Sequence, residues 1–372
     1  MRIKENEVLA PFTTFGIGGP ARWFAEAADE AEIVEAAAWV REHGVPLFVL
    51  GGGSNLLVSD SGFNGLVLRI ALRGVSVDDT QHTLDPSAPS AQRIYRAAAG
   101  EEWDALVERA VRDNCAGAEC MAGIPGTVGG TPVQNVGAYG QEVSSVIDRV
   151  RAFDLEQGAF VEFPAPECGF AYRRSRFNST DRGRFIVTRV DYRLTPDGAP
   201  TLRYAELQRT VEANRPCGSQ PSLTEVAATV RRVRREKGML IVEGDLDCRS
   251  AGSFFKNPVI SEALFQEITA GCGAAVPRFS VGPGPENEGV VKISAAWLIE
   301  HAGFAKGYRL GNAAISSRHA LALVNSEPSG QGPDERRGAT AAEILALAHE
   351  ISAAVKARFG VRLEMEPELV GI

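Results

Sequence analysis

The stretch Val45–Leu57, VPLFVLGGGSNLL, places a short apolar run directly before three consecutive glycines. An apolar run of this length that ends at glycine is typical of a buried strand. Upstream, Ala28–His43 has its apolar residues largely on one helical face, and Gly44 is a helix-ending residue. With strands also expected over Ala21–Glu26 and Leu66–Ile70, the sequence around the glycines predicts an α/β unit.

The chain after Val75 predicts a second unit of a different kind. Residues 75–92 are polar and contain prolines, so we expect a boundary loop there with room for hairpin strands. A helix is predicted from Glu102 to Asn114, followed by a glycine-rich segment over residues 122–140. Three β-branched and aromatic runs then indicate antiparallel strands, namely Val150–Leu155, Phe160–Phe163 and Phe185–Leu194. This unit is expected to be α+β.

Helices dominate the predicted structure of the last part of the chain. Ser222, with Glu225 three residues later, forms a capping-box pattern at the start of a helix that runs to Lys237. The other face of this helix is rich in arginine, which predicts an exposed face or a diphosphate contact. Further helices are predicted over Ser261–Ala270, Ile293–Ala302 and Ala341–Phe359.

Composition limits the classes of protein that this sequence can encode. Of its 372 residues, 44% are hydrophobic and 23% are charged, which is the balance of an ordinary folded protein. The net charge of −8 argues against nucleic acid as a partner, and no apolar stretch approaches the length of a transmembrane helix. The first residues, MRIKENEVLAPFTTF, lack the apolar core of a secretory signal, so we expect a cytoplasmic protein without membrane insertion. The six cysteines and five histidines show no metal-ligand spacing, and no metal is predicted.

Two glycine-rich loops are the main candidates for a ligand site. Gly51–Gly53 follow a strand, where glycines let backbone N–H groups approach a phosphate, although such a stretch is as often only a turn. Gly123–Gly140, GIPGTVGGTPVQNVGAYG, predicts a backbone folded closely round a ligand, with a long structural loop as the alternative. Together the loops suit a ligand that contains a diphosphate. Neither matches the GxGxxG dinucleotide pattern or a P-loop, which argues against a nucleoside triphosphatase.

Three other motifs carry polar groups whose role the residues alone leave open. In FAYRRSRF, Phe170–Phe177, the arginines form either a solvated face or a clamp for a carboxylate. In AGSFFKNP, Ala251–Pro258, the serine is either a surface hydroxyl or a site residue, and no hydrolase motif surrounds it. In LEMEPELVGI, Leu363–Ile372, the alternation indicates the end of a strand, and carboxylates near a chain terminus are usually on the surface.

Taken in order, these motifs resemble the UDP-N-acetylenolpyruvoylglucosamine reductase family over almost the whole chain. The matching segments are TTFGIGGPA, LGGGSNLL, GIPGTVGGTPVQNVGAYG, FAYRRSRF, AGSFFKNP, AAWLIEHAGFAKG and MEPELVG, from Thr13 to Gly371. The resemblance implies an α+β fold in which two subdomains of the vanillyl-alcohol oxidase-like type bind FAD. These are residues 1–75, to which residues 360–372 return, and residues 76–238. A third α+β domain, residues 239–359, is expected to bind the substrate.

The family resemblance also implies the reaction. NADPH reduces the flavin, and hydride then passes to the enolpyruvyl group of UDP-N-acetylglucosamine enolpyruvate, giving UDP-N-acetylmuramate for bacterial peptidoglycan synthesis. Matching motif positions make Arg173 the carboxylate clamp, Glu368 its partner at the developing charge and Ser253 the proton donor. Glu368 is expected to be protonated or strongly hydrogen-bonded, because a bare carboxylate would repel that charge. Lys237 and Lys256 are the candidate cations beside the serine.

The same matching assigns the binding residues. FAD is expected to contact Gly51, Gly52, Gly53, Ser54, Asn55, Gly123, Ile124, Pro125, Gly126, Thr127, Gly129 and Gly130. Tyr204 resembles the tyrosine that covers the substrate diphosphate in the long form of the family, and Lys237 and Asn257 are expected to contact UDP.

Parts of the chain depart from the family pattern. Residues 88–95, 282–289 and 330–339 are longer or more irregular than the pattern, and His301 stands where a glutamine is more usual. We expect a monomer whose partners are UDP-N-acetylglucosamine enolpyruvate and NADPH. An oxygen-dependent flavin oxidase and a non-catalytic nucleotide-sugar binding protein are the alternatives.

Overall fold

The computed structural model describes residues 1–80, 92–213, 219–279, 281, 288–326 and 338–372. The helices are α1 Glu30–His43, α2 Trp103–Arg112, α3 Ala205–Glu212, α4 Leu223–Glu236, α5 Glu262–Cys272, α6 Ala295–His301 and α7 Ala341–Phe359. The strands are β1 Ile3–Val8, β2 Pro20–Ala27, β3 Leu47–Leu50, β4 Leu56–Val58, β5 Phe63–Ile70, β6 Val75–Thr80, β7 Gln92–Ala98, β8 Cys115–Ala116, β9 Gly137–Ala138, β10 Gln141–Glu142, β11 Ile147–Asp154, β12 Ala159–Pro164, β13 Phe185–Pro196, β14 Val259–Ser261, β15 Arg278–Phe279, β16 Val290–Ile293, β17 Arg309–Leu310, β18 Ala313–Ile315, β19 Leu323–Asn325 and β20 Glu368–Val370.

These elements form two compact units. The first unit holds residues 1–7, 21–53 and 63–235, and the second holds residues 8–20, 54–62 and 236–372. The three-domain division expected from the sequence stays a prediction.

The first unit begins with the predicted α/β arrangement. β2, β5 and β3 are parallel neighbours, and β1 lies beside β2. Asp29 caps the N-terminus of α1, where its carboxylate accepts a hydrogen bond from the Glu32 N–H, and Gly44 caps the C-terminus with a left-handed φ of +61°. β1 lies outside the predicted elements because its sequence, IKENEV, is polar at most positions.

An antiparallel sheet completes the first unit, as the sequence predicts. The strand order is β12-β11-β13-β7-β6, with β8 paired to β13. β6 and β7 form the expected hairpin, and residues 81–91 between them lie outside the described residues. α2 buries Trp103, Leu106, Val107 and Ala110 in the core of this unit.

Helix α4 confirms its predicted capping box, and its arginine-rich face is exposed at Arg232 and Arg235 but not at Arg234. The Glu225 N–H donates to the Ser222 Oγ at 3.2 Å, and the Ser222 N–H donates to the Glu225 carboxylate at 2.8 Å. Val226 and Val230 are buried, as their spacing indicates. Arg234 is buried as well, at 6% exposure, whereas an exposed face was one of its expected environments.

The second unit combines helices with short strands. β14-β16-β15 and β17-β18-β19 are small antiparallel sheets, and β20 pairs in parallel with β4. α7 begins with a capping box between Thr340 and Glu343 and buries Ile344, Leu347 and Ile351. The irregular segments expected near residues 88–95, 282–289 and 330–339 fall largely outside the described residues. Within the described parts of both units, no helix has the length and apolar character needed to span a membrane.

Candidate active site

The two glycine-rich loops meet inside the first unit. Gly52 follows β3, and a Cβ atom added to it would lie 2.5 Å from the Cα of Gly126 and 2.9 Å from the amide nitrogen of Thr127. Carbon atoms in contact are normally about 3.5–4.0 Å apart, so at this position only glycine fits without moving a backbone. The structure therefore brings together the loops that the sequence predicts to share a ligand.

Backbone hydrogen bonds fix the second loop against the segment that leads into α2. The Val128 N–H donates to the Glu101 carbonyl at 2.8 Å, and the Gly129 N–H donates to the Ala99 carbonyl at 2.8 Å. A Cβ atom on Gly129 would lie 2.7 Å from the Ala99 Cβ, so this glycine serves close packing of the backbone. Gly130, by contrast, is exposed and faces open space.

Charged side chains of α2 and α4 hold the start of the second loop. The Gly123 N–H donates to the Asp104 Oδ1 at 2.6 Å, and the Arg231 Nη2 donates to the same oxygen at 2.6 Å. The Arg234 Nε donates to the Gly123 carbonyl at 3.0 Å, and burial lowers the pKa of this guanidinium. Both backbone groups of Gly123 are thus bound by side chains.

Thr127 supplies a polar group that the described residues leave unsatisfied. The residue is 8% exposed, and its Oγ1 has no hydrogen-bond partner in the described part of the chain. A buried hydroxyl without a partner costs about 1–3 kcal/mol, which a ligand that accepts its hydrogen bond would recover. A Cβ atom on Gly51 would lie only 2.9 Å from this oxygen.

These observations fit a dinucleotide diphosphate. The loops present backbone without Cβ atoms, and the Thr127 hydroxyl is a donor beside them. Gly51–Gly53 together with residues 123–130 would hold the diphosphate of FAD, and the bound flavin would supply hydride chemistry.

Arg173 occupies a strained turn. Ala171 and Arg174 exchange backbone hydrogen bonds of 2.9 and 3.1 Å, and Arg173 between them has a φ of +53°. The left-handed region costs a residue with a Cβ about 1–2 kcal/mol, and such strain is concentrated at functional sites. The Arg173 Nη2 donates to the Gly137 carbonyl at 3.0 Å. The candidate carboxylate clamp is therefore tied to the second glycine-rich loop.

Asn135 also joins that loop to the turn of Arg173. Its Nδ2 donates to the Ala171 carbonyl at 3.1 Å and to the Glu142 Oε2 at 2.9 Å, and its Oδ1 accepts from the Ser144 N–H at 3.1 Å. The side chain is 1% exposed. Asn135 thus connects three segments of the protein.

Tyr204 lies against Tyr139 of the second loop. The two rings meet edge to face, with centroids 5.6 Å apart. Burial raises the pKa of Tyr139 to about 12 and is also the main cause of the raised pKa of Tyr204. Both hydroxyls therefore keep their protons at neutral pH and can donate hydrogen bonds to an anionic ligand.

In the second unit, the segment after Ser253 pairs with the C-terminal segment. Phe255 and Met365 form an antiparallel bridge, and the Glu366 N–H donates to the Phe254 carbonyl at 2.9 Å. Phe254 and Phe255 are fully buried, so the position of the neighbouring Ser253 backbone is fixed by packing on one side.

Asn55 fixes the backbone that carries Glu368. The Glu368 N–H donates to the Asn55 carbonyl at 2.9 Å, and the Asn55 Nδ2 donates to the Glu366 carbonyl at 3.3 Å. β20 then continues in parallel with β4, with Glu368 opposite Leu56. Three motifs that are far apart in the chain, at Ser54–Asn55, at Ser253 and at Glu368, are therefore linked within the second unit.

The remaining candidates have partners that limit their roles. The Lys256 Nζ lies 2.5 Å from the Glu364 Oε1, so this cation already has a counter-charge. The Asn257 Oδ1 accepts from the Ala295 N–H at 3.0 Å, so a hydrogen bond to a ligand would come from its Nδ2. Lys237 is half-buried directly after α4.

The sequence did not single out Asp104 or predict the buried contact of Arg234. Asp104 lies in the first turn of α2, where acidic residues are common for helix-dipole reasons alone. Arg234 lies four residues after Val230, on the buried stripe of α4, and this spacing is the signal that could have revealed it.

Comparison with known proteins first defines the class. A family model described as an FAD binding domain matches residues 21–163, a range that contains both glycine-rich loops. A curated reductase from Streptomyces coelicolor is 45% identical to this chain over 372 residues, covering 98% of this chain and 89% of the relative. These matches define the chain as an FAD-dependent oxidoreductase.

The C-terminal part specifies the family. A model described as the UDP-N-acetylenolpyruvoylglucosamine reductase C-terminal domain matches residues 244–370. That enzyme name is carried by the Streptomyces relative and by one from Thermobifida fusca, which is 42% identical and covers 99% of this chain and 98% of its own. The crystal structure of the Thermus caldophilus reductase aligns with a TM-score of 0.62 at 27% identity, covering 100% of this chain and 99% of that chain. The chain belongs to the UDP-N-acetylenolpyruvoylglucosamine reductase family, which confirms the resemblance and the fold class predicted from the sequence.

Proposed function

We propose that this protein reduces UDP-N-acetylglucosamine enolpyruvate to UDP-N-acetylmuramate, with FAD as its cofactor and NADPH as the source of electrons. The observation that carries the proposal is the linkage of the Ser253, Glu368 and Asn55 segments in the second unit by backbone hydrogen bonds and by the side-chain amide of Asn55. Such bonds hold candidate acid and electrostatic groups on rigid backbone, which catalysis requires.

The chemistry assigns one task to each member of the proposed catalytic trio. Hydride addition to the terminal vinyl carbon places negative charge on the neighbouring carbon and its carboxylate. Arg173 binds that carboxylate, and its strained backbone and its bond to the Gly137 carbonyl orient the guanidinium beforehand. Ser253 holds the proton for the carbon, and Glu368 supports the developing charge through a hydrogen bond.

Substrate binding uses a further set of donors. Tyr204, whose ring meets that of Tyr139, would donate its hydroxyl hydrogen bond to the diphosphate. Asn257 would donate a hydrogen bond from its Nδ2 to UDP, and Lys237 would contact UDP through its ammonium group. Lys237 and Lys256 are the two candidate cations that would stabilise the serine alkoxide.

The proposal includes the cellular setting. The product is a peptidoglycan precursor, so the enzyme works in the cytoplasm of a bacterium, as a monomer. Residues 51–55 and 123–130 would hold FAD, which would carry electrons from NADPH to the sugar nucleotide.

An absorbance experiment tests the reaction. We expect the purified protein to show flavin bands that bleach on anaerobic addition of NADPH and return when UDP-N-acetylglucosamine enolpyruvate is added. Bands that return only with oxygen would instead identify an oxidase. If no bands form after reconstitution with FAD, the protein is a non-catalytic binding protein.

A further inference from the structure

We propose that Glu119 is a positioning residue that sets Tyr204 and the hairpin of Tyr139 in the geometry that binds the substrate diphosphate. This inference rests on the proposed function, because it assumes the role given to Tyr204. Glu119 follows α2 by a few residues and is not part of any motif that the sequence singles out.

Glu119 is a fully buried carboxylate whose oxygens are all used by N–H donors. Its exposure is 0%. Oε1 accepts from the Gln141 Nε2 at 2.7 Å and from the Thr201 N–H at 2.9 Å, and Oε2 accepts from the Gly117 N–H at 2.7 Å. No Lys or Arg is paired with it among the ion pairs of the described residues. Burying a charge without a cation costs free energy unless hydrogen bonds replace those made by water. The three N–H donors are therefore what makes burial of the Glu119 carboxylate possible.

The bond to Gln141 places Glu119 under the hairpin of the second glycine-rich loop. Gln141 pairs with Ala138, and its own Oε1 accepts from the Cys120 N–H at 2.8 Å. Tyr139 and Gly140 form the two-residue turn between the strands, with φ values of +48° and +85°. Positive φ at both central positions is the type I′ pattern of tight hairpins. The Gln141 side chain therefore transmits the position of Glu119 to the ring of Tyr139.

The bond to Thr201 places Glu119 on the approach to Tyr204. The Thr201 N–H is bound by Glu119, and its carbonyl accepts from the Cys120 thiol at 3.2 Å. Burial, reinforced by the negative charge of Glu119, raises the pKa of Cys120 to about 12, so the thiol keeps the proton that it donates. Thr201 stands three residues before Tyr204, whose ring meets that of Tyr139. The Glu119 carboxylate thus holds both the hairpin that carries Tyr139 and the segment that leads to Tyr204.

A double-mutant cycle tests this inference. Glu119→Gln keeps the Oε1 acceptor but presents an amide to the Gly117 N–H, and Glu119→Ala removes both carboxylate oxygens and with them all three hydrogen bonds. We expect KM for UDP-N-acetylglucosamine enolpyruvate to rise about tenfold in Glu119→Ala and less in Glu119→Gln, since one buried acceptor lost corresponds to roughly a tenfold change in equilibrium. The rate of flavin reduction by NADPH should change less than about twofold, because the altered groups lie at the sugar-nucleotide contact. Combined with Tyr204→Phe, the effect on KM should be less than additive, because Glu119 acts through Tyr204.

Two further measurements separate positioning from simple destabilisation. Hydrogen exchange at the Thr201 amide of the full holoenzyme should accelerate in Glu119→Ala and less in Glu119→Gln, because the amide oxygen of glutamine can still accept from the Thr201 N–H. Asp154→Asn, a matched change at a buried carboxylate elsewhere in the unit, should lower stability and leave KM unchanged. Unchanged KM in a folded Glu119→Gln and Glu119→Ala pair, or full additivity with Tyr204→Phe, would overturn the inference. If the wild-type protein itself fails to turn over the sugar nucleotide, the proposed function is what has failed, while the exchange result still reports on the Glu119 anchor.

Discussion

Replacing Gly52 by alanine tests whether contact between the two glycine-rich loops is what creates the FAD site. The added methyl group would lie 2.5 Å from the Gly126 Cα and 2.9 Å from the Thr127 amide nitrogen. A normal carbon contact begins near 3.5 Å, so the loops would have to separate by about 1 Å. The atoms that the added methyl group would meet belong to the backbone of Gly126 and Thr127. Backbone atoms cannot change position by rotating about a side-chain bond, as the end of a flexible side chain could.

The expected cost follows from that displacement. Overpacking a closely packed contact costs about 1–3 kcal/mol. In the protein without FAD, part of this strain is relieved as the loops move apart. Binding one diphosphate requires both loops at their original spacing, so the strain is felt on binding, and we expect FAD affinity to fall by roughly 5- to 150-fold.

The assay is titration of the apoprotein with FAD, followed by flavin fluorescence, together with urea unfolding of the apoprotein. Gly271→Ala is a suitable control, because Gly271 lies in α5 with nothing within 4 Å of an added Cβ. This control should keep its FAD affinity and gain up to about 1 kcal/mol in free energy of unfolding. Stoichiometric, wild-type affinity for FAD in Gly52→Ala would show that the contact between the loops does not define the site.

Three further changes give separate tests. Thr127→Val should leave the free energy of unfolding of the apoprotein unchanged or raise it by about 1 kcal/mol, because the change removes an unsatisfied buried hydroxyl. The same change should weaken FAD binding. An FAD affinity equal to that of the wild type in titrations would exclude a contact between FAD and Thr127. Ser253→Ala should retain flavin reduction by NADPH but slow product formation by about 10²–10⁴-fold in stopped-flow assays. Ser61 is an exposed serine of the same unit, and the control Ser61→Ala should behave as wild type. Normal turnover of Ser253→Ala would exclude Ser253 as the proton donor. The hydrogen bond from Arg184 lowers the pKa of Asp154, so the stabilisation that Asp154 provides is complete above about pH 4 and is lost as the pH falls through its folded-state value. Asp154→Asn should therefore lower the free energy of unfolding by about 2 kcal/mol at neutral pH and by less in acid, and a loss that is independent of pH would contradict this assignment.

The sequence predicts the long elements of both units, α7 among them, better than the short strands, and the reason is element length. α1, β5 and β13 are long enough to show helical or strand periodicity, and each was predicted. β4 has three residues, too few for a periodic pattern. The alternation in Leu363–Ile372 does indicate the strand end that contains β20, but the parallel pairing of β20 with β4 joins positions more than 300 residues apart in the chain. Local patterns carry no information about such partners.

The candidate site shows the same limit. The glycines of both loops are visible in the sequence, but the contact of Gly52 with Gly126 is not, because each loop taken alone is only a turn. Ser253 and Glu368 became candidates through resemblance to a family, and the residues themselves gave a surface hydroxyl or a surface carboxylate as the simpler interpretation. The structure adds that their backbones are held in one unit by Asn55 and by the bridge of Phe255 with Met365.

The second glycine-rich loop needs side chains from elsewhere in the protein to hold it, because its glycines have none. Glycine lets two backbones approach closely, but it has the largest conformational freedom to lose and no side chain to pack. A loop built from it must be fixed from outside, and here Asp104 and Arg234 bind the two backbone groups of Gly123, while Glu119 lies beneath the Tyr139 hairpin. Charged side chains are suited to this task because their hydrogen bonds are stronger than neutral ones and reach backbone groups that apolar packing cannot satisfy. We therefore expect the residues that make the site rigid to be residues that do not touch the ligand. Such residues form no sequence motif, because a side chain at any of several positions in the chain could reach the same backbone group.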